Sequence, residues 1–191
     1  MQSVIIVLIG LSGVGKSTLR DYVLRNSGHN IKKLIAVTTR TPRRGEVEGE
    51  DKYFVDYDTF ERLYADGQLC VVTEVYGNLY AFYEHDLCMD NSDVILAELH
   101  YNAYPAFKKK YNTLSIYIKP NEYVTIQSLL LRGSSQEEHE LRRFELTKDV
   151  IELDLLEEAK VFDYVFTNCR TETDLIRFSN LITNILEDRL C

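Results

Sequence analysis

An apolar run rich in β-branched residues, Val4 to Ile9, breaks into Gly10-Leu11-Ser12-Gly13-Val14-Gly15-Lys16-Ser17, after which Thr18, Leu19, Tyr22 and Val23 return at helical spacing. The stretch predicts a strand, a glycine-rich loop and a helix in that order. It constrains the fold more than any other part of the chain. The spacing G-x-x-x-x-G-K-S is the one in which backbone N–H groups and a helix N-terminus wrap a polyphosphate. Gly10, Gly13 and Gly15 permit positive φ and close approach to phosphate oxygens, which a side chain would block. Lys16 sets a cation on the β- and γ-phosphates, and the Ser17 hydroxyl offers an oxygen to Mg²⁺. The expected phosphate-binding set is Gly10, Ser12, Gly13, Val14, Gly15, Lys16, Ser17 and Thr18.

A chain of 191 residues is long enough for one domain with small insertions and a sizeable core. Its net charge of −8 argues against a general nucleic-acid or membrane-surface binder, so basic patches must be judged locally. Cys70, Cys88, Cys169 and Cys191 form no C-x-x-C pair, and His29, His85, His100 and His139 have no metal-ligand spacing. Reduced thiols in a cytoplasmic protein are expected. The Val4 run is too short to span a bilayer, lacks a charged leader and leads straight into the loop.

After a helix over Lys16 to about Asn26, Leu34 to Val37 is a strand candidate that delivers Thr38-Thr39-Arg40-Thr41-Pro42-Arg43-Arg44-Gly45-Glu46. Pro42 and Gly45 forbid a regular element there, leaving a loop whose arginines and threonines suit anionic oxygens. Tyr53 to Val55 reads as a strand and Asp58 to Ala65 as a short helix stopped by Gly67. Leu69 to Val75, a turn at Gly77-Asn78, and Leu79 to Tyr83 make a hairpin. Val94 to Leu99 and Leu114 to Ile118 are further strands, with an amphipathic helix Tyr104 to Lys110 between them. Helical patterns cover Asn121 to Leu131 and Glu137 to Ala159, then Tyr164 to Thr167 is a last strand and Glu172 to Leu190 a closing helix. Strands alternating with helices imply an α/β fold, a parallel sheet covered on both faces, with the hairpin as an inserted β-rich piece.

The T-T-R-T-P-R-x-G-E loop, followed by Gly49, Asp51 and Phe54-Val55, resembles that of the guanylate kinase family. The phosphate loop, the Gly77-Asn78-Leu79-Tyr80 turn, Arg132-Gly133 with Glu137-Glu138 and Arg142-Arg143, and the fragment Phe162 to Asn168 extend the resemblance over the whole chain. It implies a P-loop NTPase-type core (1–33, 84–126 and 145–191), an inserted β-rich subdomain for a nucleoside monophosphate (34–83) and a helical lid (127–144). It also implies transfer of the γ-phosphoryl of Mg-ATP to GMP or dGMP, by an enzyme that is a monomer or homodimer. By that resemblance Lys16 serves the donor, Arg40 and Arg43 hold the acceptor phosphate with Tyr80, and Arg132 and Arg143 close over the transferring group. Asn168 is expected near the adenine.

The departures cluster at the acceptor. The family's serine before the arginine loop, its tyrosine after G-E, its base-reading glutamate and its hydroxyl after the hairpin turn fall on Ala36, Lys52, Val71 and Phe82. A shift of alignment would bring Tyr53 and Glu74 in as replacements, although one residue of slip reverses the face of a strand. Glu98 is the only carboxylate that Val94 to Leu99 offers. A same-fold kinase for a pyrimidine or modified deoxynucleoside monophosphate is the alternative, and a non-catalytic interaction module a third reading that the intact phosphate loop disfavours.

Overall fold

The computed structural model describes residues 4–87, 92, 94–121 and 136–190, and the side chains of these except 136–143 and 189–190. Its elements are β1 (Val4–Ile9), α1 (Lys16–Asn26), β2 (Ile31–Lys33), β3 (Ala36–Thr38), β4 (Tyr53–Phe54), α2 (Tyr57–Ala65), β5 (Leu69–Val75) and β6 (Asn78–Tyr83). They continue with β7 (Val94–Leu99), α3 (Tyr104–Lys110), β8 (Thr113–Pro120), α4 (Gln136–Glu158), β9 (Tyr164–Asn168) and α5 (Glu172–Leu190). This is the α/β alternation that the hydrophobic periods predict. Among the described residues no helix is long and apolar enough to cross a membrane.

A five-stranded sheet has the order β2-β7-β1-β8-β9, with β2 parallel to β7 and β8 parallel to β9. All six residues of β1 are buried, as a strand covered on both faces requires. The chain divides into two compact units, one of Met1–Ile5 and Asn30–Thr113, the other of Ile6–His29 and Leu114–Cys191.

In the second unit α1 packs on α5. Leu19 and Val23 of α1 are buried, as are Phe178, Ile182 and Ile185 of α5, and the Phe166 ring meets Phe178 edge-on at 5.1 Å. Side chains of this kind contribute about 1.5–3 kcal/mol each on burial.

The first unit carries a four-stranded sheet, β4-β3-β6-β5. Val37, Leu69 and Ala81 share one face with Phe60 of α2, and Tyr53, Leu79 and Tyr83 pack against that cluster. Asp56 caps α2 by accepting from the Thr59 N–H at 2.7 Å, and hydrogen bonding to the Thr59 side chain, followed by that backbone bond, holds its carboxyl below the usual range.

Two local expectations change. The strand placed at Leu34 to Val37 is two strands, because the chain leaves one sheet at Lys33 and joins the other at Ala36; Leu34 still donates its N–H to the Leu96 carbonyl at 2.8 Å. The hairpin turn is Tyr76-Gly77 rather than Gly77-Asn78. Val75 pairs with Asn78, and both turn residues have positive φ, 52° and 70°, as a tight hairpin of matching twist needs.

Candidate active site

The phosphate loop joins β1 to α1 in the second unit. Two of its glycines, Gly10 and Gly15, sit in close packing. A Cβ on Gly10 would stand 2.6 Å from the Ile118 carbonyl oxygen, and one on Gly15 2.6 Å from Asn168 Nδ2. Gly15 is also the N-cap of α1, in the left-handed region at φ 103°, and the helix start has neither a side-chain cap nor an acidic residue in its first turn. An uncapped N-terminus of positive potential suits an anion. Lys16 Nζ donates to the carbonyls of Gly10 at 2.8 Å and Leu11 at 2.9 Å, so its ammonium is held over the loop.

Ser17 follows Lys16 in the first turn of α1. Among the described residues no group of His, Cys, Asp and Glu could hold a metal ion on its own. The Ser17 hydroxyl is a hard oxygen donor of the kind that fits Mg²⁺, which is commonly held by one or two protein oxygens together with those of a nucleotide.

Asn168, expected near the adenine, is 3% exposed and hydrogen-bonded to the loop. Its Nδ2 donates to the Val14 carbonyl at 2.8 Å, and its Oδ1 accepts from the Arg170 N–H at 3.0 Å. Two residues on, Arg170 has φ 62° and its guanidinium donates to the Gly13 carbonyl at 2.6 Å. Asp174 steadies this turn by accepting from the Cys169 N–H at 3.0 Å and from the Thr171 hydroxyl at 2.9 Å, and it pairs with Arg177 at 2.9 Å. Burial works to raise the Asp174 carboxyl, but the bonds from Thr171 and Cys169 and the Arg177 charge outweigh it, and the group titrates low. Arg170 and Asp174 were not legible as site residues, since their partners become neighbours only in the fold.

In the first unit the arginine loop is built around Glu46. This carboxylate takes two bonds from the Arg40 guanidinium, at 2.9 and 3.0 Å, and one from the Arg43 N–H at 2.6 Å. Arg40 also donates to the Thr41 carbonyl at 2.7 Å and lies 5.6 Å over the Phe54 ring. A guanidinium gripped in this forked way has a fixed direction. Arg43 itself is exposed.

Register places the remaining acceptor candidates on two opposite faces. Tyr80 stands between Thr38 of β3 and Thr73 of β5, and Phe54 is the β4 partner of Thr38. One step further along the same face Phe82 stands between Ala36 and Cys70, all three buried, with the Phe82 ring edge-on to Phe107 at 6.0 Å. Burial pushes the Cys70 thiol up to about 11, against a hydrogen bond with Tyr111 that works to lower it.

The structure does not bring Tyr53 and Glu74 to the Tyr80 face. Tyr53 pairs with Val37 and packs in the α2 cluster, and Glu74 pairs with Leu79 on that same side, because side chains alternate along each strand. For Glu74 the face is set by a bulge. One extra residue lies between Cys70 and Thr73 of β5, where Val71 has φ 52°, a rare conformation for a β-branched side chain. Of the positions in the unshifted alignment, Ala36 and Phe82 share the face of Tyr80.

Glu98 is the half-buried residue of the otherwise buried β7. His100, just beyond, stacks on Tyr101 at 4.3 Å and meets Tyr76 of the hairpin turn at 6.1 Å. Arg132 lies outside the described residues, and Arg143 falls in α4 where the side chains are not described.

Comparison with known proteins agrees over nearly the full chain. The guanylate kinase family model matches residues 2–184. The guanylate kinase of Anaplasma phagocytophilum is 34% identical over 184 residues, covering 94% of this chain and 85% of that protein. The guanylate kinase of Bacillus subtilis is 31% identical, covering 99% and 93%. The crystal structure of guanylate kinase from Anaplasma phagocytophilum superposes with a TM-score of 0.69 at 29% identity, over 98% of this chain and 86% of that one. Sequence and structure thus agree that the chain belongs to the guanylate kinase family, as a phosphotransferase of the nucleoside monophosphate kinase kind.

Proposed function

We propose that the protein transfers the γ-phosphoryl of ATP to a nucleoside monophosphate, with GMP or dGMP as the default acceptor, in the cytoplasm. The observation that carries this is an intact loop for a polyphosphate, with Lys16 poised over it at an uncapped helix start. That loop also disfavours a purely non-catalytic interaction module. Phosphoryl transfer asks little covalent chemistry of a protein and depends on alignment and neutralisation of charge. Lys16 binds the donor's terminal phosphates. Arg40, oriented by Glu46, and Arg43 bind the acceptor phosphate, with the Tyr80 hydroxyl as a further donor. When bound, Mg²⁺ held through Ser17 would neutralise phosphate charge on the donor. Arg132 and Arg143 are proposed to cover the transferring group from a lid over 127–144, and residues 34–83 to form the acceptor subdomain, excluding water as a rival nucleophile.

The acceptor base admits a second reading. Ala36 and Phe82 make the sheet face next to Tyr80 apolar and closed, which favours a base that asks for fewer hydrogen bonds, a pyrimidine or modified deoxynucleotide. In either case Glu98 is the proposed carboxylate contact on the acceptor side.

A panel of ribo- and deoxynucleoside monophosphates with Mg-ATP, read by ADP release, tests both. Turnover confined to GMP and dGMP supports the default, preference for another base supports the second, and no turnover with any acceptor overturns the proposal. Arg43→Ala is expected to raise the KM for the acceptor by about ten- to a hundredfold, the loss of one charge-assisted bond, with the KM for ATP unchanged. Unchanged acceptor affinity would remove Arg43 from the site.

A further inference from the structure

We propose that Asn168 and Arg170 are positioning residues that shape the phosphate loop from behind, setting affinity for the donor's polyphosphate rather than reading its base. The proposal rests on the loop binding a polyphosphate. Consecutive loop carbonyls, Gly13 and Val14, are each held by one of these side chains, at 2.6 and 2.8 Å. In a planar trans peptide the C=O and the following N–H point in opposite directions. Holding the Val14 carbonyl toward Asn168 therefore aims the Gly15 N–H away from Asn168, at the start of α1 where an anion is favoured. It also turns a repulsive carbonyl dipole away from that anion.

The amide of Asn168 is well suited to this work. Val14 supplies an acceptor and Arg170 an N–H donor, so only one orientation of the amide satisfies both. The side chain is buried against Gly15, where even a Cβ would stand 2.6 Å from Nδ2, which leaves no space for a base between them. The left-handed backbone of Arg170 is what returns its N–H to Asn168 while its guanidinium reaches Gly13. Such a conformation is unfavourable for a non-glycine residue, and the surrounding contacts must offset it.

The test compares ATP with inorganic tripolyphosphate, which has the charge and no base. Binding of each is measured on the wild type, on Asn168→Ala and on Arg170→Gly, the last keeping the left-handed backbone while removing the guanidinium. Asn168→Ala is expected to weaken ATP and tripolyphosphate by the same factor, about tenfold for one lost buried hydrogen bond, with the KM for the nucleoside monophosphate unchanged. Arg170→Gly, at a more exposed bond, is expected to weaken both equally by roughly threefold, and it carries the test if Asn168→Ala does not fold. A loss confined to ATP, with tripolyphosphate binding intact, would mean the side chains read the base and would overturn the proposal, as would unchanged affinity for both ligands. A wild type that binds neither ligand would instead overturn the reading of the loop itself.

Discussion

Lys16→Ala is expected to lower phosphoryl transfer by about a hundred- to a thousandfold, the usual effect of removing one preorganised donor from a developing charge. The far-ultraviolet circular dichroism and the melting temperature should stay close to wild type. In the protein alone the ammonium braces the loop backbone. It bonds the Gly10 and Leu11 carbonyls, at 2.8 and 2.9 Å, from a half-buried position. Bonds of that kind are worth on the order of 1 kcal/mol net, since water can take the place of the lost donor. On the donor phosphates the same charge is opposed by spreading negative charge with little water between, where its worth is far greater. Arginine should not rescue the loss, because a planar fork cannot replace a compact ammonium in so tight a loop. Full activity in Lys16→Ala, measured by ADP release at saturating ATP, would refute the mechanism.

Phe82→Ser is expected to cost stability before it alters selectivity. Phe82 is 4% exposed and Phe107, against whose face it stands, is fully buried, so shortening the ring leaves a cavity with a hydroxyl in it. Truncations of this type cost about 3–5 kcal/mol. For a chain of this size that corresponds to a fall in melting temperature of roughly 10 °C or more. Phe82→Leu, which keeps most of the volume, should lose about 1.5 kcal/mol or less. Thermal melts of the two variants distinguish a packed ring from a loose plug. If Phe82→Ser melts like the wild type, the residue is only a stopper at the acceptor site and its removal should open that site to a larger or more polar base.

Much of this was legible in advance where the chemistry is local. The change of hydrophobic period around Gly10 to Ser17 marks β1 and α1 to the residue, and Gly67 marks the stop of α2, whereas its start, read at Asp58, is Tyr57 behind the Asp56 cap. The acceptor side was read less well because its meaning depends on register. The bulge at Val71 shifts every later residue of β5 by one position, a change that no count of residues along the chain reveals. Glu74 consequently belongs to the α2 side, where Tyr53 stands through its own pairing with Val37. Glu46, quoted only as the end of a motif, proves to be the carboxylate that organises both arginines. The bond of Asn168 to Val14 was not legible, since it is made across 154 residues of chain.

That separation bears on how the protein comes into being. A ribosome delivers the glycine-rich motif early and Asn168 near the end, and contacts between such distant segments carry a closure cost that more local structure does not. A growing chain thus possesses the nucleotide motif long before it possesses the side chain that shapes it. If Asn168 shapes the loop as proposed, competence to grip a triphosphate is acquired only once β9 has joined β8, so a bound nucleotide would report the docking of that strand.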